Sequence, residues 1–358
     1  MQRRKYPTSD TTSTPGVEKP FYQRDTLGTP TPVSTLLCQA KNIDPTLESS
    51  VYYFFGEFMK KIITALLLAA LTFTATAKEN ITIFYSWSAA DTAANFHRTL
   101  ADEANKIQNR YNFVFDVKPG AGGSIAANHV LAQPNAILAT ASAFFIRPNF
   151  FPNESHDIAK FRSLFPQCAA PAVITSKKYK TWADVPADRP ISIGMSGMGT
   201  TTHLIAAQIA KKYPNLVIVP FKSTSEAVLS VLSDSTDMAV NFMGDSVQYV
   251  ETNKLNVLGA TGSKTIGTVR PLSSQGFTRD LDVMDVPAQL LVPTNFSDAK
   301  AQEIRNIFLE AGRRQAVLDS YKPDFCQSNN QMADREIQPW YAKQTADWRR
   351  LTQGVSLK

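Results

Sequence analysis

The sequence has few of the residues that mark a metal site or a nucleic-acid-binding protein. Its 358 residues include three cysteines and four histidines, and no two histidines stand at metal-ligand spacing. The net charge of +6 is spread along the chain without a block of five or six basic residues, so nucleic acid is not an expected partner. The phosphate-loop motif Gly-Lys-Ser/Thr is missing as well. We therefore expect no metal, no cofactor and no nucleic acid.

Long apolar runs are also missing. The clearest apolar run, residues 62–73, is about a dozen residues, whereas a membrane span needs roughly 20. It follows Met59, Lys60 and Lys61 and ends in Thr-Ala-Thr-Ala, so residues 59–77 have the three parts of a secretory signal peptide. We interpret Met59 as the true start and residues 1–58, which are rich in Thr, Ser and Pro, as a non-native or disordered upstream extension. The alternative is an internal buried helix or a membrane anchor.

Export would place residues 78–358 in an oxidising compartment, the periplasm. Hydrophobic residues make up 43% of the chain and charged residues 19%, which is typical of a soluble globular protein with one or two domains. In that compartment Cys168 and Cys326 become a candidate disulfide, which would close a long loop. The alternative is a pair of buried free thiols.

Strands and helices alternate from residue 78 onwards. The first unit reads as a strand at 81–85, a helix at 93–107, a strand at 113–117, a helix from Ser124 and a strand at 136–140. This βαβαβ order with short loops predicts an α/β unit with a parallel sheet. Further strands are predicted at 171–176, 191–196, 216–219, 238–242, 257–261 and 289–293. Further helices are predicted at 204–212, 225–232, 299–311 and 336–351.

Each of two α/β units has a turn rich in Gly, Ser and Thr just before a helix. In the first unit the turn is KPGAGGS at 118–124, and in the second it is SGMGTTTH at 196–203. Glycines let backbone amides approach a ligand closely, and a helix N-terminus attracts anions. The pattern therefore predicts a site for a small anion. The simpler interpretation is that these stretches are only tight turns and helix caps. Ligands of open α/β sheets bind at the carboxyl ends of strands, which favours a cleft between two lobes.

Five sequence blocks resemble the receptors of tripartite tricarboxylate transporters, the Bug-type extracytoplasmic solute-binding proteins. The blocks lie at 119–123, 194–204, 219–222, 237–241 and 259–264, in the order of the family and at about its spacing. The resemblance implies a type II periplasmic-binding-protein fold, in which two α/β lobes joined by crossover strands enclose a ligand cleft. The crossovers would lie near 171–176 and 290–293, with lobe 1 at 79–173 plus 290–358 and lobe 2 at 174–289. Both Cys168 and Cys326 would then belong to lobe 1.

The resemblance also implies a function. The family captures small carboxylates and passes them to a membrane permease, and we expect a monomeric receptor of this kind. Carried over by position, the ligand-binding residues are Ser86, Trp87, Ser88, Ala89, Ala90, Gly122, Gly123, Ser142, Ser196, Thr200, Thr201, His203 and Asn241. The first loop departs from the family pattern because it has no glycine, and Trp87 could stack there on an aromatic carboxylate. Asn241 stands where the family usually has Asp, and a carboxamide would repel an anionic ligand less than a carboxylate would.

An enzyme is the main alternative. The sequence GMSGM at 194–198 approaches the Gly-x-Ser-x-Gly nucleophile elbow, but Met198 stands where the last glycine belongs. A Ser-dependent hydrolase would use the loop around Ser196. We interpret His203 as a residue at the start of a helix near the cleft, and we expect no enzymatic activity.

Overall fold

The computed structural model describes residue 56, residues 58–62 and residues 77–355. The chain forms two compact units, Met1–Ala75 and Thr76–Lys358. In the first unit the described residues are helical. Most of the predicted signal peptide and all of residues 1–55 lie outside the described residues. Within the described residues, no helix is both long enough and apolar enough to cross a membrane.

The second unit is a mixed α/β structure with two sheets. Its strands are β1 (Glu79–Tyr85), β2 (Tyr111–Val117), β3 (Ala136–Thr140), β4 (Phe161–Ala170), β5 (Ala172–Ser176), β6 (Ile191–Met195), β7 (Leu216–Pro220), β8 (Met238–Phe242), β9 (Asn256–Ala260), β10 (Val286–Pro293) and β11 (Gln327–Ser328). Its α-helices are α1 (Thr92–Ile107), α2 (Ser124–Leu131), α3 (Ala143–Phe150), α4 (Thr201–Ala210), α5 (Thr224–Leu232), α6 (Met243–Glu251), α7 (Asp298–Ala311), α8 (Gln315–Tyr321) and α9 (Asp334–Thr352).

The first sheet has the strand order β11-β4-β10-β3-β1-β2. Strand β1 pairs in parallel with β2 and β3, so the predicted βαβαβ unit is present. Strands β10 and β4 extend this sheet in antiparallel pairing, which makes the sheet mixed rather than purely parallel. We call the part of the protein built on this sheet the first lobe.

The second sheet has the order β7-β6-β8-β5-β9 and forms the second lobe. Strand β6 pairs in parallel with β7 and β8, whereas β5 is antiparallel to β8 and β9. The chain enters this lobe through Pro171 and leaves it after β9. The two passages are joined by hydrogen bonds, since Thr261 N donates to the carbonyl of Ala172 (2.8 Å) and Ala172 N donates to Thr261 Oγ1 (2.9 Å). The residue limits of the lobes given above stay a prediction.

The alternation of side chains along β1 explains how the first lobe is packed. Ile81 and Ile83 point to one face of the sheet, where they share a buried apolar cluster with Leu100 of α1. Phe84 points to the other face and packs in the cluster that includes Val130 of α2. Because successive residues of a strand face opposite sides, this sheet buries apolar residues on both faces.

The predicted disulfide is present between Cys168 of β4 and Cys326, which precedes β11. The two Cα atoms are 5.6 Å apart and both side chains are buried. Since β4 and β11 are paired strands of the first sheet, the bond lies within the first lobe and leaves the two lobes free to move against each other.

Candidate ligand-binding site

The glycine loop before α2 brings the backbone of the first lobe into an unusual conformation. Gly120, Gly122 and Gly123 have φ of 126°, 57° and 95°, all in the region that favours glycine. A Cβ on Gly123 would lie 3.3 Å from the side chain of Ser86, and one on Gly122 would lie 2.8 Å from Cδ of Arg147. The glycines therefore let this loop pack tightly against the first loop and α3. Gly122 and Gly123 do not themselves line the cavity described below.

The first loop, after β1, places one of its predicted ligand residues at the cleft. Trp87 is half-buried and lines a cavity between the lobes, with its ring 5.6 Å from the ring of Tyr85. Ser86 is buried and donates to the carbonyl of Ala139 (3.2 Å). Ser88 accepts from Ala90 N (3.1 Å), so this part of the loop is bonded to itself. Ala89 and Ala90 are exposed and lie away from the cavity wall.

Hydroxyl groups of the second lobe form the opposite wall. Ser196, Thr200 and Thr201 all line the cavity, as the resemblance implied, together with Thr202. The hydroxyl oxygens of Ser196 and Thr202 are 2.8 Å apart, and Thr200 Oγ1 donates to the carbonyl of Gly197 (2.8 Å). Thr200 also caps α4, since its side chain accepts from the backbone N–H of His203. Capping of α4 and lining of the cavity therefore occur in the same turn, and direct ligand contact by these hydroxyls stays a prediction.

Three predicted residues lie behind the cavity wall. Ser142 is buried and its Oγ is 2.5 Å from Oγ1 of Thr201 in the other lobe. His203 is buried, its Nδ1 accepts from Gly199 N (3.3 Å), and burial lowers its pKa. Asn241 accepts from Thr175 (2.7 Å) and donates to Ser246 (2.9 Å), so its amide is used within the protein. These contacts support the wall, and direct ligand contact by these residues stays a prediction.

The cavity between the lobes is lined mainly by apolar and hydroxyl side chains from both lobes. Its walls also carry two carboxyl groups, Asp91 and Asp324, and no Lys or Arg appears among the described residues that line it. The lining residues are Tyr85, Trp87, Asp91, Ala93, Phe96, His97, Thr140, Ala141, Ala143, Ala170, Ser196, Thr200, Thr201, Thr202, Thr224, Phe242, Val286, Pro287, Ala288, Asp324 and Cys326. An apolar cleft with a few convergent polar groups is the usual form of a small-molecule site.

The two acids at the cavity were not identified from the sequence. Burial is the main cause that raises the pKa of Asp91 to about 7, and the carboxylate of Asp245 raises it further. Burial and the same carboxylate raise the pKa of Asp324 to about 8. An Asp just before a helix is normally interpreted as a cap, but the Asp91 side chain does not cap α1. Instead it accepts from Ser225 Oγ of the second lobe at 3.0 Å.

Arg147 is the nearest buried cation to the glycine loop, and it joins the lobes rather than lining the cavity. Its guanidinium donates to the carbonyl of Met198 in the second lobe (3.2 Å) and lies 4.3 Å from the ring centre of Phe151. Glu154 is its ion-pair partner at 3.9 Å. Burial lowers the pKa of Arg147. Arg147 thus fixes the Gly197–Gly199 turn next to the hydroxyl wall.

The loop around Ser196 gives the hydrolase alternative no support. The Ser196 hydroxyl contacts Thr202, while the nearby His203 ring accepts from Gly199 N instead of from serine. A nucleophilic serine needs a base within hydrogen-bond reach, and the described residues place none beside Ser196. Among the described residues there is also no group of His, Cys, Asp and Glu side chains placed to hold a metal ion.

Comparison with known proteins agrees with this fold. The sequence matches the tripartite tricarboxylate transporter family receptor, TctC, over residues 96–355. The chain belongs to this family. A comparison with curated proteins found no match.

Solved structures show the same fold. The periplasmic binding protein BugD is 18% identical with a TM-score of 0.71, over 78% of this chain and 98% of BugD. MatC (Rpa3494) from Rhodopseudomonas palustris, solved with bound malate, is 13% identical with a TM-score of 0.69, over 77% of this chain and 99% of MatC. R. palustris Rpa4515 with adipate is 14% identical with a TM-score of 0.67, over 78% of this chain and 97% of the Rpa4515 chain. The protein is thus a two-lobed α/β solute-binding receptor by family and fold.

Proposed function

We propose that the protein is a periplasmic receptor that captures a small carboxylate between its lobes and delivers it to the membrane permease of a tripartite transporter. The observation that carries this proposal is the hydroxyl wall of Ser196, Thr200 and Thr201, which faces Trp87 across a cavity built from both lobes. Hydroxyl groups donate hydrogen bonds to a carboxylate without adding a charge to the site.

The related structures support this ligand class. MatC holds malate and Rpa4515 holds adipate, and both share the fold of this chain. Malate and adipate are both small carboxylates with two acid groups. We therefore infer a ligand of similar size, with one carboxylate on the hydroxyl wall.

We expect the permease to recognise the closed form of the receptor. The ligand favours the closed form only as far as it binds that form better than the open form. The contact between Ser142 and Thr201, which joins the lobes, supports the expectation that these surfaces meet on closure. The proposal includes a monomeric receptor, export by residues 59–77 as a signal peptide, and lobes at 79–173 plus 290–358 and 174–289. N-terminal sequencing of the exported protein should give a start next to Lys78.

A thermal-shift screen of the purified protein tests the proposal. The panel contains malate, adipate, succinate, an aromatic carboxylate and amino acids, with sugars and phosphate esters as controls. A ligand present at 100 times its dissociation constant should stabilise the protein by about 2.7 kcal/mol. A shift with one or more carboxylates supports the receptor function. A shift confined to sugars or phosphate esters would contradict it.

A further inference from the structure

Three carboxyl groups meet where the two lobes come together. Asp91 and Asp324 belong to the first lobe and line the cavity, and Asp245 belongs to α6 of the second lobe. Each accepts a hydrogen bond from the opposite lobe: Asp91 from Ser225 Oγ (3.0 Å), Asp245 from Thr92 N (3.1 Å), and Asp324 from Gly244 N. We call Asp91, Asp245 and Asp324 the acidic cluster. It exists only when the lobes are together.

The acidic cluster has no positive ion-pair partner among residues 77–355, since no Lys, Arg or His in this range forms an ion pair with any of its members. Asp91 is 7% exposed, Asp324 is 1% exposed, and Oδ2 of Asp245 is buried without a hydrogen-bond partner. Buried charge of one sign is costly unless a counter-charge or a proton compensates it. Burial raises the pKa of the Tyr85 phenol well above its ordinary value, and the nearby carboxylates of the acidic cluster raise it further.

A second observation, independent of the acids, points to a polar ligand in the same cavity. Thr140 and His97 line the cavity, and each is only 1% exposed. The hydroxyl of Thr140 is buried and has no hydrogen-bond partner among the described residues. Buried polar atoms are nearly always hydrogen-bonded in native proteins, so this hydroxyl is available to a bound molecule. Burial keeps His97 neutral, since it lowers the pKa of this side chain to about 3.

We propose that the ligand is a carboxylate that also carries a protonated amine, with its ammonium group at Asp91 and Asp324 and its carboxylate at the hydroxyl wall. This inference rests on the proposed function and names the ligand class of that same site. An ammonium group offers three N–H donors, and hydrogen bonds between it and carboxylates are strong because both groups are charged. A plain dicarboxylate would instead bring a further negative charge next to the acidic cluster, where like charges repel.

A metal ion is a weaker explanation of the cluster. The described residues hold no group of three acidic, His or Cys side chains placed to coordinate a metal. The members of the cluster accept hydrogen bonds from hydroxyl and amide donors, which is the geometry of hydrogen bonding rather than of a coordination shell. A cation that itself donates hydrogen bonds fits these partners better.

The test compares matched pairs of ligands that differ only in the amine. The pairs are L-aspartate with succinate, L-glutamate with glutarate, and L-alanine with propionate, each titrated into the full-length protein by calorimetry. We expect the amine-bearing member of at least one pair to bind about tenfold or more tightly than its partner. Asp324→Asn should remove most of that preference. The control Asp102→Asn, an exposed acid on α1, should keep it.

The outcomes separate this inference from the proposed function. If the amine-free member of every pair binds as tightly or more tightly, the ligand class is wrong while the receptor function stands. The same conclusion holds if amine-free carboxylates bind best at about pH 6 and lose affinity by about pH 8.5. In that case Asp91 and Asp324 would act as protonated hydrogen-bond donors to an anionic ligand. If no carboxylate of either kind binds, the proposed function fails as well. If Asp324→Asn does not fold, the comparison of the ligand pairs in the wild-type protein alone decides whether the inferred ligand class is correct.

Discussion

The hydroxyl oxygens of Ser142 and Thr201 lie 2.5 Å apart and join the two lobes at the edge of the cavity. Ser142 precedes α3 of the first lobe, and Thr201 begins α4 of the second. Thr201 also lines the cavity, so one side chain contacts both the other lobe and the ligand space. We therefore expect ligand binding and lobe closure to be coupled at this residue.

Replacing Thr201 with Val tests this coupling, since valine keeps the shape but removes the hydroxyl. The loss of one hydrogen bond to a charged ligand and of the contact with Ser142 should weaken binding by about 1–3 kcal/mol. Calorimetry with the carboxylate found in the thermal-shift screen measures the change. The matched control is Thr99→Val, on α1, whose hydroxyl contacts only Asn95. Equal affinities in all three proteins would mean that the hydroxyl wall does not touch the ligand.

Trp87 should report on binding because it is the tryptophan that lines the cavity. The chain has four tryptophans, and Trp182, Trp340 and Trp348 are not among the cavity-lining residues. We expect tryptophan fluorescence to change when the ligand binds, and Trp87→Phe to abolish most of that change. Trp340→Phe is the control and should keep it. A signal that survives in Trp87→Phe would place the ligand away from the first loop.

The disulfide between Cys168 and Cys326 should contribute strongly to stability. It links positions 158 residues apart, and the chain-entropy model gives about 5 kcal/mol for a loop of this length. The double variant Cys168→Ser/Cys326→Ser should therefore unfold at a clearly lower urea concentration than the wild type. Reductant should lower the stability of the wild type and leave the double variant unchanged. Insensitivity of the wild type to reductant, with two free thiols detected by mass spectrometry, would show that the bond does not form.

The acidic cluster should make the ligand-free protein less stable as pH rises. The pKa of Asp91 is about 7 and that of Asp324 about 8, both above the ordinary 3.8, so the folded protein retains protons that the unfolded chain releases. Their contribution is full below about pH 4 and is lost as pH rises through about 7 to 8. Urea unfolding at several pH values should show a smaller loss over this window in Asp324→Asn than in the wild type.

The control for this pH dependence is Asp102→Asn, which removes an exposed carboxylate on α1. Its profile should follow that of the wild type. Parallel profiles for wild type and Asp324→Asn would mean that Asp324 is ionised at neutral pH in the folded protein. His97 acts in the opposite direction: burial lowers its pKa to about 3, so the unfolded chain takes up a proton below about pH 6.5 that the folded protein does not, and this effect is the same in the wild type, Asp324→Asn and Asp102→Asn.

Local sequence patterns predicted the first βαβαβ unit well, since each of its strands is a short apolar run and α1 has a regular apolar face. Helices α3 and α6 and strands β4 and β11 were among the elements that were not predicted, and two of these were missed for local reasons. Helix α3 (Ala143–Phe150) contains Pro148, which normally argues against a helix, and strand β4 (Phe161–Ala170) contains Pro166 and pairs irregularly with β10. Antiparallel extension of the first sheet by β4 and β10 depends on pairing across more than a hundred residues, which no local pattern records.

The lining of the cavity was predicted in part, and ligand contact stays a prediction. Ser196, Thr200 and Thr201, which line it, were singled out because they follow a strand and open a helix, which is a local signal. Asp324 could not be found in this way, because it reaches the site only when Gly244, 80 residues away, donates to it across the lobes. Asp91 had a local signal, but that signal indicated a helix cap. Acids brought together by tertiary structure therefore form the part of the site that the sequence alone did not reveal.

A crystal structure of the protein with the tightest-binding carboxylate from the thermal-shift screen tests the central claim most directly. The account predicts one ligand between the lobes, with a carboxylate within hydrogen-bond distance of the hydroxyls of Ser196, Thr200 or Thr201. A ligand bound outside the interlobe cavity, or a closed cavity that remains free of the ligand at saturating concentration, would contradict it.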